Sequence, residues 1–341
     1  MRPRGLAAAS TLVALLASWS LAACSSQGTS GGTPANSATK GPRITVAMVT
    51  HGEAFDPFWA LVQKGARQAA SDFNVRLKYQ SPKVTNPQAQ ASLIAQAARG
   101  RPAAMVVTIP KAAALSAAIQ RVSSSGVPVV VVNVGDSVYQ QVGALTFVGQ
   151  PDSTAGAEAG KQMAAAGVRR ALCVIHEAQN TALTDRCAGF SRQINASGGT
   201  VQVLNVNGSQ LHDAQSAIER ALKRNRSIDG VLATGIIGFE AVGGAIHSLN
   251  AFGRIKFGTF DVSSADLTAV QNGQALFVID QQPFLEGYDA VQVAAFQVRY
   301  GQHPFRPIYT GPSLVTKSNA AKVAQLYKNT GIPLFQGGYP Q

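Results

Sequence analysis

Along this chain, runs of aliphatic and β-branched residues alternate with amphipathic stretches of helical period, and that alternation predicts the elements. Ile44-Thr45-Val46-Ala47-Met48-Val49-Thr50 has no Gly or Pro and is largely apolar on both faces. Such a run predicts a strand covered by helices on either side, as in a parallel sheet. The loop His51-Gly52-Glu53-Ala54-Phe55 follows, and Asp56-Pro57-Phe58-Trp59 then opens a helix. Asp56 is placed to cap it, and Pro57 stands at the first helical position, where its missing N–H costs nothing.

The same grammar continues. Helices are predicted over 58–71, from Asn86-Pro87 to Arg99 and over 111–123, with strands over 75–79, 104–109, 127–133 and 145–149. A second round then starts. Helices over 153–166, 182–196 and 212–224, with others from Phe239 and Ser264, alternate with strands over 171–175, 201–204, 230–234, 256–260 and 276–279. A helix over 283–299, an extended stretch over 308–315 and a short amphipathic helix over 320–328 complete the chain. Strict alternation with short connections predicts an α/β protein of doubly wound parallel sheets. Two rounds in tandem predict two similar lobes, with a cleft between them lined by loops at the strand ends.

Composition narrows the reading. The chain has 341 residues, 46% of them hydrophobic and 13% charged, enough apolar material for two medium cores and the wrong profile for a disordered protein. A formal charge of +12 raises nucleic acid as a partner, yet Lys and Arg are scattered, the densest block being Lys223-Arg224-Asn225-Arg226. A nucleic-acid footprint concentrates them on one face, so none is expected here; the excess reads as a solvated surface that favours an anionic membrane.

The first residues change the compartment. Met1-Arg2-Pro3-Arg4 is basic, 6–19 is mostly apolar and Leu21-Ala22-Ala23-Cys24 closes the segment, the pattern of a secretory leader over 1–23 with a small-residue cleavage site. An uncleaved membrane anchor is the competing reading of that stretch. Leu-Ala-Ala-Cys resembles a bacterial lipoprotein box, which implies cleavage before Cys24 and a diacylglycerol on its sulfur, so that acyl chains hold the protein at the membrane. Residues 24–41, rich in Ser, Gly and Thr, then form a lipidated flexible tether. In an oxidising compartment Cys173 and Cys187 either form a disulfide or remain two buried thiols. No His and Cys cluster has zinc spacing, and neither a metal nor a cofactor is expected.

Candidate chemistry sits at the strand ends. Phe58 and Trp59, beside Asp56, come just past the first strand, on the side where open α/β sheets bind ligands. They form either a stacking platform for the C–H face of a sugar or the first apolar anchors of the helix. Asn133 follows four valines, Asp261 follows Thr259-Phe260, Gln281 follows Ile279-Asp280, and Arg186 lies in a helix-opening run. Taken singly each is a plausible turn or cap residue. Taken together, Asp, Asn, Gln and Arg with aromatics suit a neutral polyhydroxylated molecule, because carboxylate and guanidinium groups grip neighbouring hydroxyls in a fork. His51 and His176-Glu177 are further candidates for the cleft wall.

Over residues 44–315 the sequence resembles the periplasmic ribose-type sugar-binding proteins, the solute receptors of bacterial ABC importers. The carrying motifs are Asp56-Pro57-Phe58-Trp59 with Gly65-Ala66-Arg67-Gln68-Ala69-Ala70, then Gly126-Val127-Pro128-Val129-Val130 leading to Asn133. Arg186-Cys187-Ala188-Gly189-Phe190, Gly258-Thr259-Phe260-Asp261 and Asp280-Gln281-Gln282-Pro283 follow. The resemblance implies that Phe58 and Trp59 stack on the ligand, that Asp56 and Asn133 accept from the first lobe, and that Arg186, Asp261 and Gln281 grip from the second. It implies a type I periplasmic binding protein fold, two lobes joined by a hinge of three crossovers near Val148-Gly149-Gln150, Gln281 and Thr310. The N-terminal lobe would be 42–149 plus 282–308, the C-terminal lobe 150–281 plus 309–318, and the tail 319–341. The sequence also departs from the family pattern. Asn133-Val134 stands where Asp-Arg is usual, and Gly235 where an Asn is usual, which shifts the expected ligand from ribose toward another pentose, a hexose, inositol or a linear polyol. The partners implied are an ABC permease with its ATPase, and the expected state is a monomer. A receptor of the same fold feeding a transmembrane signalling partner is the alternative.

Enzyme readings are weaker. Gly156-Ala157-Glu158-Ala159-Gly160-Lys161 is one residue short of a phosphate-binding loop and is followed by Gln162. The histidines lack an obvious Ser or Cys partner, so no catalytic residue is expected.

Overall fold

The computed structural model describes residues 41–52 and 56–329, together with Gly331 and Leu334. The expected leader over 1–23, the lipidation site Cys24, the tether short of Gly41 and most of the tail beyond 329 lie outside the described residues.

The first round runs β1 (Ile44–Val49), α1 (Pro57–Asp72), β2 (Val75–Gln80), α2 (Pro87–Arg99), β3 (Ala104–Val107), α3 (Ala112–Ser124), β4 (Val129–Val132) and β5 (Thr146–Gly149). The second runs α4 (Asp152–Ala165), β6 (Arg170–Ile175), α5 (Thr181–Ala196), β7 (Thr200–Asn205), α6 (Leu211–Arg224), β8 (Gly230–Ala233), α7 (Ile236–Ser248), β9 (Lys256–Phe260), α8 (Ser264–Asn272) and β10 (Phe277–Asp280). Then come α9 (Pro283–Tyr300), β11 (Ile308–Tyr309), β12 (Ser313–Thr316) and α10 (Ala320–Asn329).

Two six-stranded sheets result, ordered β11-β5-β4-β3-β1-β2 and β12-β10-β9-β8-β6-β7. The orders are the same when each lobe is counted from its own first strand, so the two halves are built alike. All pairs are parallel except β10 with β12. The central strands β3, β4, β8 and β10 are buried at every residue, as a sheet covered on both faces requires.

The chain passes between sheets three times. It leaves β5 through Gln150-Pro151 for α4, leaves β10 through Gln281-Gln282 for α9, which packs on the first sheet, and leaves β11 for β12 of the second sheet. The expected single extended stretch over 308–315 is therefore two strands in different sheets, separated by a turn with a cis Gly311-Pro312 bond. Tyr309 still pairs with Gly149 of the first sheet, so the third passage begins at Thr310.

The glycines of the helix pairs show how closely the lobes repeat. Gly65 of α1 lies against α9, where an added Cβ would stand 1.8 Å from the Phe284 carbonyl oxygen, and Gly287 of α9 faces the Val62 oxygen at 1.9 Å. In the other lobe Gly156 of α4 faces the Arg186 oxygen and Gly189 of α5 the Ser153 oxygen, both at 2.0 Å. Gly65 and Gly189 are each the ninth residue of their helix, Gly287 and Gly156 each the fifth. Only residues without a side chain let these backbones meet, and the contact fixes the height at which Arg186 leaves α5.

Candidate functional site

The two lobes meet at the C-terminal ends of their strands, where the ligand side of open α/β sheets lies. Asn133 directly follows β4 and Asp261 directly follows β9, equivalent strands in the two sheets. Both adopt left-handed backbone, φ 65° and 69°, and each donates its N–H to the next strand, Asn133 to the Val148 oxygen at 2.8 Å and Asp261 to the Ile279 oxygen at 2.9 Å. Asn and Asp are the side-chain-bearing residues that tolerate this conformation best. At both places it turns a polar side chain off the sheet edge into the cleft.

The centre of the site is Arg186, buried in the second turn of α5. Its Nε donates to Asp152 Oδ1 at 2.8 Å, its Nη1 donates to the Thr234 carbonyl at 2.7 Å and lies 3.9 Å from Asp261 Oδ2, and its guanidinium carbon stands 4.6 Å from the centre of the Phe260 ring. Burial pulls the guanidinium down, but Asp152 and Asp261 more than offset this and keep it charged. Burial raises Asp261 to about 6 against the opposing pull of Arg186 and Gln281, and it raises Asp152 against Arg186 and Gln150.

A polar chain carries this cluster into the other lobe. Gln281 Nε2 donates to Asp261 Oδ1, while Asn133 Nδ2 donates to Gln281 Oε1 at 3.1 Å and to Glu286 Oε2 at 3.1 Å. Glu286 has no exposure, and burial raises its carboxyl well above the usual range. Nearby, His51 Nδ1 lies 2.9 Å from Thr108 Oγ1, and His51 Nε2 accepts from Asn180 Nδ2 at 3.1 Å across the cleft. The Asn180 side-chain oxygen caps α5 by accepting from the Ala182 N–H, which fixes its amide as the donor toward His51. Burial lowers the His51 pKa to about 3, so the ring is neutral as this contact demands. The Thr181 N–H donates to the Pro110 carbonyl at 3.1 Å, a further bond between lobes.

The structure gathers the sequence-predicted residues Asp56, Phe58, Trp59, Asn133, Arg186, Asp261, Gln281 and His51 around one narrow hollow of about 30 Å³. Phe58 and Trp59 combine an apolar packing position with a place in the cleft wall. They belong to the core of the first lobe and meet edge to face at 5.1 Å, yet both also line the hollow. Asp56 likewise has two roles, accepting from the Phe58 N–H at 3.0 Å as the α1 cap while facing the cleft. Gly235 is not in the hollow's wall but stands behind it, against His176 and Asp261.

The sequence reading missed Asp152, Glu286 and Asn180. Asp152 and Glu286 sit in first helical turns, where acids commonly serve the helix dipole, and Asn180 reads as a cap. The one available signal was position: each lies within a few residues of a crossover or a ligand-side loop.

Residues 46–302 match the model of the periplasmic binding protein domain. Among solved structures, the chain is similar to a carbohydrate transporter from Acidothermus cellulolyticus in complex with myo-inositol, with 34% identity, a TM-score of 0.79 and coverage of 84% of this chain and 99% of that one. It is also similar to a solute-binding protein of an ABC transporter from Burkholderia graminis in complex with D-arabinose, at 22% identity, a TM-score of 0.73 and coverage of 81% and 96%. A glucose-galactose binding protein from Geobacillus stearothermophilus aligns at 19% identity, a TM-score of 0.73 and coverage of 82% and 99%. No curated protein matches the sequence.

Proposed function

Since the chain belongs to the periplasmic binding protein family, sugar-binding proteins of the ABC transporter type, we propose that it captures a small neutral carbohydrate between its lobes and delivers it to a membrane permease and its ATPase. The ligand class is a monosaccharide, a polyol or an inositol. Phe58 and Trp59 stack on its apolar face, Asp56 and Asn133 contact it from the first lobe, Arg186, Asp261 and Gln281 from the second, and His51 borders it. Hinge closure brings the two sets together and stabilises the form that the permease recognises. The family places the protein outside the cytoplasm, in the periplasm or envelope. A lipid on Cys24 would hold it at the membrane as a monomer, with residues 42–149 plus 282–308 as one lobe and 150–281 plus 309–318 as the other.

The observation that carries the reading is the charge balance of the hollow. Arg186 is the one Lys or Arg among the described residues lining it, and Asp152 and Asp261 already engage it, while Asp56 and Glu177 add acceptors to the wall. An anionic ligand would meet carboxylates, whereas hydroxyls can donate to the acids and accept from the guanidinium.

Thermal unfolding against pentoses, hexoses, inositols and linear polyols tests this. A member present at a hundred times its dissociation constant should add about 2.7 kcal/mol, a rise on the order of 5 °C, and Asp261→Ala should remove the response. A response confined to sugar phosphates or sugar acids, or one that the folded Asp261→Ala variant keeps in full, would refute the assignment.

A further inference from the structure

We propose that His176, seated in a socket of glycines at the end of β6, sets the site's specificity by accepting a hydrogen bond from one ligand hydroxyl beside the hydroxyl held by Asp261. The inference rests on the carbohydrate reading of the cleft and adds a residue to it.

The socket is built from three elements. Gly235, just past β8, has extended backbone with φ 169°, a conformation open to any residue, so space and not strain excludes a side chain there. An added Cβ would lie 2.8 Å from His176 Cε1 and 3.0 Å from Asp261 Oδ2. Gly208, in the loop after β7, would place a Cβ 3.3 Å from that of His176, and Gly238, in the first turn of α7, would place one 3.4 Å from His176 Nδ1. A side chain at 235 would therefore occupy the volume the imidazole fills. Because β6 and β8 are neighbours in the sheet, the imidazole at the end of β6 reaches the space that Gly235 leaves open at the end of β8.

Hydrogen bonding sets which ring nitrogen faces the ligand. Thr234 Oγ1 donates to the Val174 carbonyl at 2.9 Å, so only its lone pairs remain for His176 Nδ1 at 3.4 Å. Nδ1 thus carries the proton and Nε2 is left as an acceptor. Burial, helped by the nearby Arg186 charge, lowers the His176 pKa to about 4, which keeps the ring neutral and Nε2 able to accept. His176 lines both the inner hollow and the wider mouth of the cleft. Nε2 and Asp261 Oδ2 then form two neighbouring acceptors, matched to two adjacent hydroxyls that both donate. A ligand with a deoxy or O-methyl position at that point would leave a buried acceptor unpaired, which weakens binding about 10- to 100-fold.

Calorimetric titration with myo-inositol, D-ribose, D-xylose and D-glucose tests the proposal on wild type, His176→Leu, His176→Gln and Gly235→Ala. The tightest of the four for wild type should lose about 10- to 100-fold in His176→Leu, and the weaker ones less, so that the order of preference changes. His176→Gln, whose amide oxygen can accept, should restore most of the loss. Gly235→Ala should reproduce it without removing any polar atom, and it carries the test should His176→Leu fail to fold. An unchanged order in the folded variants, or an equal loss for all four sugars, overturns this inference alone. Should wild type bind none of the four, the same variants are titrated with the sugar or polyol that gives the largest thermal rise; wild type that responds to no pentose, hexose, inositol or linear polyol overturns the carbohydrate reading together with the contact.

Discussion

Arg186→Leu should lower the free energy of unfolding by about 3–5 kcal/mol and abolish the thermal response to every carbohydrate. The guanidinium is buried between Asp152 and Asp261 and makes bonds of 2.8 Å to Asp152 and 2.7 Å to the Thr234 carbonyl. Removing it leaves two buried carboxylates with no compensating charge, and burial already raises both. Their desolvation, more than the lost attraction, dominates the cost. Urea unfolding separates the two effects: adding Asp152→Asn and Asp261→Asn to Arg186→Leu should recover most of the stability and none of the binding. A single variant that loses under about 1 kcal/mol and still responds to ligand would show that Arg186 is neither structurally nor functionally central.

Loss of the Cys173–Cys187 disulfide should cost on the order of 3 kcal/mol by loop entropy and weaken ligand binding as well. The bond ties β6 to α5 across a sequence separation of 14, and Cys187 directly follows Arg186. Both cysteines are buried, so the double variant Cys173→Ala/Cys187→Ala is a cleaner probe than a reductant. Its unfolding midpoint and its affinity for the responding sugar should both fall. A midpoint equal to that of wild type would mean that packing of α5 against α4, through Gly156 and Gly189, holds Arg186 in place without the bond.

Much of this architecture was legible because it rests on local chemistry. The apolar runs of β1, β4 and β9 announce buried parallel strands, and Asp56-Pro57 announces the start of α1, whose cap the structure shows. Polar residues directly after β4, β9 and β10 pointed to the cleft, since a purely structural strand end needs no Asn, Asp or Gln there. The pieces that stayed hidden depend on long-range placement. Glu286 lies in the first turn of α9 and becomes a buried partner of Asn133 only because the chain recrosses to the first lobe at Gln281. Within 308–315 the sequence marks only a break at Gly311-Pro312 and, through the family resemblance, a crossover near Thr310; that β11 joins β5 and β12 joins β10 is set by partners distant in the chain. The His176 socket is invisible in the same way, since Gly208, Gly235 and Gly238 read as ordinary loop and helix-start glycines until three elements converge.

The central claim is that one small carbohydrate binds between the lobes, held from both. A crystal structure with the sugar that gives the largest thermal rise tests it most directly. The account predicts a single ring against Phe58 and Trp59, within hydrogen-bond reach of Arg186, Asp261 and Asn133. Electron density for that sugar on one lobe alone, or outside the cleft, would contradict it.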